Sequence, residues 1–371
     1  MKDPEITEDF LSALRRYLSG EILMDEAVKR AKLKTRKQFQ DRLKSAYVRR
    51  QLVVRRRIDP EMGIKVREWI HRSRGIGKGV EVYVVNGIPN DETFFSAAAE
   101  KLLAFFKERL QREDKEEITI GIVSGTSTAD LVEYVGKLWE EVMGGLNFEE
   151  REKKRKINIV AMCSTTLKGP DLEGNANIST LILAKLLDKK LPDFKVTPYG
   201  ISTELVVFEE NLEEVDGRVL NKERLRIVDP SRLKEGSNGK SKLDILIAGV
   251  GLRGDKEHPD SVLQKVIQAE GIELPEEVVG DVGFWPIDRE GHEVEIRDKD
   301  SKKLMVYSLI TPTTMRELAK GGGIVMLIAR NHRRGQKVSK TIPIRAAIRG
   351  GYANVIFTDE DTANELLEER L

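Results

Sequence analysis

Several short stretches combine glycine, hydroxyl, acidic or basic residues at spacings that could hold a small ligand. Ser124-Gly125-Thr126-Ser127-Thr128 follows an apolar run and precedes a helical pattern carrying Leu131, Val135, Leu138 and Val142. Backbone N–H groups at such a helix start, with small hydroxyls beside them, form an anion cradle; Ser and Thr there are equally ordinary helix caps. Gly249-Val250-Gly251-Leu252-Arg253-Gly254 has the G-x-G-x-x-G spacing, yet the charged turn DKEHPD follows where a dinucleotide fold needs a helix. Arg253 remains a candidate for gripping a phosphate or a sugar hydroxyl. Gly280-Asp281-Val282-Gly283-Phe284-Trp285 presents an acid beside aromatics, with Asp288 in a second turn. A carboxylate accepts hydrogen bonds from sugar hydroxyls and an aromatic face covers a sugar ring's C–H side; a solvated acid above a core tryptophan has the same composition. The loop from Arg330 to Lys340 brings five Lys or Arg side chains to the end of another apolar run, a pattern suited to anions. Cys163 sits beside Ser164, Thr165 and Thr166 without a histidine near it, and reads as a buried structural thiol.

These stretches must be held by the elements that precede them. Strand-like runs occur at 81–87, 118–124, 157–163, 244–251, 323–329 and 353–359, with helical patterns between several of them, including Glu92 to Leu110 and Thr128 to Val142. Continuous apolar strands alternating with amphipathic helices predict an α/β unit with a mainly parallel sheet covered on both faces. Ligands in such sheets bind beyond the carboxyl ends of the strands.

The chain has 371 residues, 40% apolar and 34% charged, enough for a large domain plus an accessory unit. Its net charge of +1 conceals a split, because residues 29–57 hold thirteen Lys or Arg against Asp41 alone, which leaves the remainder at −11. Such a run is expected to face a polyanion. Phe10, Leu11, Leu14 and Leu18 predict a first helix, Ala27, Val28 and Ala31 a second, and Phe39, Leu43, Ala46 and Tyr47 a third capped by Thr35; Leu52 to Val54 then read as a strand. This is a winged helix-turn-helix pattern over residues 1–58. Arg36, Lys37, Gln40 and Lys44 would face a DNA groove, and Arg55 and Arg56 the phosphates. A linker is expected over 59–79, and residues 80–371 as a second domain. In the linker, GIGKG lacks the spacing of a phosphate loop. No apolar run reaches the roughly 18 residues of a membrane span, and the acidic start MKDPEITEDF points to the cytoplasm. One cysteine and four scattered histidines predict neither a disulfide nor a metal site, and no cofactor is expected.

The carboxyl-terminal segment, with Lys340, IRAAIRGG at 344–351 and Thr358-Asp359-Glu360-Asp361-Thr362-Ala363, resembles the closing segment of SorC-type sugar-binding transcriptional regulators. GTS at 125–127, AGVG at 248–251 and GDVGFWPID at 280–288 fall in that family's order, so the resemblance covers about residues 80–368. It implies a domain similar in fold to ribose-5-phosphate isomerase and glucosamine-6-phosphate deaminase that senses a phosphorylated sugar. Gly125, Thr126, Ser127 and Lys340 would hold the phosphate, with Asp281 and Arg253 on the sugar. It also implies operator DNA as a partner and assembly as a tetramer. An enzyme on the same fold, an isomerase or deaminase with a nucleic-acid-tethering amino-terminal module, is the alternative; Asp281 and Asp359 would be its candidate bases.

Overall fold

The computed structural model describes residues 9–10, 13, 24–39, 42, 58–74, 80–86, 91–112, 116–144, 155–163, 174–201, 205–211, 214, 243–254, 261–333, 336–337 and 339–368. The chain divides into two units, residues 1–58 and 59–371.

In the first unit, helix α1 (Met24–Arg30) opens with Asp25 and Glu26 and closes with Lys29 and Arg30, the charge order its dipole favours. Thr35 Oγ1 accepts the Gln38 N–H at 3.2 Å, capping a helical turn over residues 36–39. Phe39 from this turn meets Phe10 with ring centroids 5.0 Å apart, and Ala27, Val28 and Ala31 are buried with them. Of the candidate DNA contacts, Lys37 is exposed and the Arg36 guanidinium is paired with Asp25, Nε to Oδ1 at 2.6 Å. Gln40, Lys44, Arg55, Arg56 and the expected strand at 52–54 lie outside the described residues.

The second unit begins with a correction. Most of the expected linker forms a helix, α2 (Pro60–Arg74). Asp59 Oδ1 accepts the N–H groups of Glu61 and Met62 at 2.9 and 3.0 Å, and Pro60 takes the first helical position, where its missing N–H costs nothing. Val66, Trp69 and Ile70 then enter the main core, so this segment is an amphipathic packing element rather than a tether.

Strands and helices alternate next: β1 (Glu81–Val85), α3 (Asp91–Gln111), β2 (Glu117–Ile122), α4 (Thr126–Met143), β3 (Arg155–Ala161), α5 (Ala176–Lys190) and β4 (Phe194–Tyr199). After β5 (Val206–Phe208) come β6 (Ile245–Leu252), α6 (Val262–Ala269), the hairpin β7 (Gly280–Val282) and β8 (Trp285–Ile287), β9 (Ile296–Arg297), β10 (Lys303–Val306) and α7 (Pro312–Lys320). β11 (Ile324–Ile328), the short pair β12 (His332–Arg333) and β13 (Gln336–Lys337), α8 (Thr341–Arg349), β14 (Val355–Asp359) and α9 (Glu360–Glu368) follow.

The main sheet runs in the order β1-β14-β11-β6-β2-β3-β4 with parallel pairing throughout. The chain moves outward from β2 to β4 on one side and from β6 through β11 to β14 on the other. Strand order therefore reverses between β2 and β6, where open α/β sheets leave a crevice. On one face, Leu246, Ala248, Val325, Leu327 and Ile356 share a core with residues of α2, α8 and α9. On the other, Phe94 of α3 meets Phe357 of β14 with centroids 5.5 Å apart. No helix among the described residues is long and apolar enough to cross a membrane.

Candidate functional site

The turn after β2 leads into α4, an 18-residue helix whose amino terminus lacks a capping side chain and has no acid in its first turn. The cap position is Gly125. Thr128, in the first turn, places its hydroxyl between the carbonyls of Val123 and Gly125, at 2.8 and 2.7 Å. Helix starts carry backbone N–H groups without intrahelical partners and a positive dipole end, so Thr126 and Ser127 stand where an anion is favoured. Of the two readings of this sequence, capping by its own hydroxyls is not what these residues do.

The turn is fixed from behind. Ser124 Oγ accepts the Ala176 N–H at 2.9 Å and the Gly125 N–H donates to Gly174 O at 2.7 Å, which ties the start of α5 to the turn. Ser124 N–H also donates to Cys163 Sγ at 3.3 Å. Burial pushes the Cys163 thiol up to about 11, with the bonds from Ser124 pulling the other way and the Asp281 carboxylate adding to the rise. A thiol so placed is protonated and inert.

β6 lies between this turn and the basic loop. Val123 N–H donates to Ile247 O at 3.0 Å, which sets the turn beside the carboxyl end of β6. Lys340 reaches the same end from the β11 side, its Nζ donating to Val250 O at 3.3 Å. The lysine loop and the GTS turn thus flank one strand at one edge of the sheet. β7 extends β6 in antiparallel pairing and sets Asp281 opposite Gly251. Asp281 is buried, and its Oδ1 accepts the Phe284 N–H at 3.2 Å. That bond steadies the two-residue turn Gly283-Phe284, whose φ angles of 60° and 71° are both left-handed, as a tight hairpin of this twist requires. Gly249 faces open space: a Cβ built there meets nothing within 4 Å.

Arg253 does not join this group. Its Nη1 donates to the carbonyls of Pro275, Glu276 and Val278 at 2.6, 2.8 and 3.2 Å, and its Nη2 to Leu274 O at 3.3 Å. A guanidinium committed to four carbonyls holds the chain before β7 in place. It lines a separate cleft of about 440 Å³ with Glu276, Asp288, Arg289, Ser339 and Ile342. Asp359, the other candidate base, accepts the Thr362 N–H at 2.8 Å and so caps α9. Among the described residues no group of three or more His, Cys, Asp or Glu side chains could hold a metal ion.

Sequence reasoning missed Asn331, which is fully buried behind Lys340, and the seating of Gly174 to Ala176 on the GTS turn. An uncharged amide inside a basic loop is a visible oddity, although nothing in its spacing gives its partners.

No protein-family model and no curated protein sequence matches this chain. Among solved structures, the full-length sorbitol operon regulator SorC from Klebsiella pneumoniae is similar over 98% of this chain and 100% of its own, with a TM-score of 0.54 and 15% identity. A domain of a possible sugar-binding transcriptional regulator from Arthrobacter aurescens TC1 is similar over 84% of this chain and 97% of its own, with a TM-score of 0.50 and 13% identity. At these identities the likeness is one of fold, and the chain has the fold of the SorC-type regulators: an amino-terminal helical unit followed by an α/β unit built on a mainly parallel sheet.

Proposed function

We propose that this protein is a DNA-binding transcriptional regulator whose operator affinity is modulated by a phosphorylated sugar. The observation that carries the reading is the uncapped start of α4 at the sheet edge that also receives Lys340 and Asp281. Backbone N–H groups and an ammonium suit a phosphate. A carboxylate beside them repels a second phosphate and accepts hydroxyls, which suits the sugar. Gly125, Thr126, Ser127 and Lys340 hold the phosphate in this reading and Asp281 the sugar. The basic amino-terminal unit supplies the affinity for DNA, and effector binding changes it through a coupling of about 1 to 3 kcal/mol. The assembly carried over from the resemblance is a homotetramer acting in the cytoplasm, which light scattering of the purified chain checks.

Two measurements test the reading. Thermal melting against a panel of phosphorylated sugars should find one that stabilises the chain, by about 2.7 kcal/mol at a hundred times its dissociation constant, and Lys340→Ala should abolish that gain. Operator binding titrated with salt should fall with a log–log slope of about −0.9 per phosphate neutralised. A flat slope, or turnover of ribose 5-phosphate or glucosamine 6-phosphate, would overturn it in favour of an enzyme.

A further inference from the structure

Lys340 is placed at the carboxyl end of β6 by a bond to that strand, and it lies at the end of a long loop. A flexible ammonium on a loose loop binds anions poorly, because ordering both costs entropy. The loop is closed at its base by one side chain. Asn331 Oδ1 accepts the Lys340 backbone N–H at 2.7 Å, nine residues away. Its Nδ2 donates to Thr341 Oγ1 at 3.0 Å and to Glu365 Oε2 at 2.6 Å. Its own backbone N–H donates to Thr362 Oγ1 at 2.7 Å, and Thr341 Oγ1 donates to Glu365 Oε2 at 2.7 Å. Asn331 is fully buried. An amide can donate and accept at once, and this one accepts from the loop's end while donating to α8 and α9.

We infer that Asn331 is a positioning residue of the effector site, holding Lys340 in register with α9 so that its ammonium meets the anion already ordered. The inference rests on the anion-site reading of the GTS turn and Lys340. The amide's oxygen and both its hydrogens are engaged by Lys340, Thr341 and Glu365, so its work is done on the lysine's backbone and on the two helices. The charge pattern makes the amide specific. A carboxylate at position 331 would still accept the Lys340 N–H, but it would set an anion against Glu365. Changing Glu365 to an amide at the same time would reverse donor and acceptor and rebuild the bond.

The experiment measures binding of inorganic phosphate by the full chain at fixed ionic strength, well below each variant's melting temperature, by calorimetry. Asn331→Ala and Asn331→Asp should each weaken binding by about tenfold or more, the size of effect that follows loss of a supporting hydrogen-bond partner. Asn331→Asp combined with Glu365→Gln should return affinity to near the parent value, a rescue that a merely space-filling residue would not show. Parent-like affinity in folded Asn331→Asp, or failure of the double variant to recover while melting like the parent, overturns the inference. Lys340→Ala separates the two levels: if it binds phosphate as the parent does, or the parent binds none, the anion-site reading itself falls; if it loses binding and Asn331→Asp does not, only the positioning role falls.

Discussion

The carboxylate of Asp281 lies directly over the backbone of Gly251, where a Cβ would come within 2.1 Å of Asp281 Oδ2. Glycine at 251 is what lets a buried acid fold down onto β6. Gly251→Ala should push Asp281 aside at a cost of about 1 to 3 kcal/mol, the usual penalty of overpacking. Urea unfolding reads the loss of stability. The melting response to a phosphorylated sugar should fall with it, whereas Gly249→Ala, with open space above it, should leave stability within about 0.5 kcal/mol of the parent.

Arg253→Ala should act on stability alone. The guanidinium satisfies carbonyls between Leu274 and Val278. Its removal strands partly buried acceptors, at about 1 to 3 kcal/mol. Thermal melting should show the loss, and the shift produced by added ligand should match the parent's; a selective loss of the ligand shift would return Arg253 to the binding site.

Cys163 predicts an alkaline limit to stability. Its folded pKa, pushed up to about 11, exceeds the thiol's ordinary value of 9.0. The unfolded chain therefore releases this proton first. The contribution is fully present below pH 9 and is lost as pH climbs through 11, at about 2 to 3 kcal/mol in all. Denaturant unfolding of the parent and of Cys163→Ala between pH 8 and 11 checks it, since the variant should lack this part of the slope. A thiol reagent should modify Cys163 only after unfolding.

Trp69→Ala should cost about 3 to 5 kcal/mol in unfolding free energy, as large core deletions do. Its ring is buried in the main core and lies under the Arg345 guanidinium, 5.5 Å from the centroid. A tether would tolerate the change.

The parallel sheet was legible because its central strands are buried on both faces and so read as unbroken apolar runs; β2, β3, β6, β11 and β14 fall within two residues of the predicted spans. β4 was not, since this edge strand carries Lys195 and Pro198 in an irregular burial pattern. Helix α2 was hidden by the glycines that follow it, though Asp59-Pro60-Glu61 is a helix-start signature in plain view. Strand ends give Lys340, Asp281 and the GTS turn their positions, which is why their neighbourhood could be anticipated from the order of the apolar runs. The carbonyl partners of Arg253 were not legible, because proximity to a strand end says nothing of where a long side chain goes. The partners of Asn331 come from α8 and α9, up to 34 residues away, and no local pattern encodes such a meeting.

Helix α2 begins at Pro60, and it packs on α8 and α9, the two helices to which Asn331 pins the lysine loop. A displacement at that loop must either break these bonds or drag the helix pair with it. In the second case the disturbance reaches the packing of Trp69 and Ile70, so the lysine loop and helix α2 share one mechanical fate within the α/β unit.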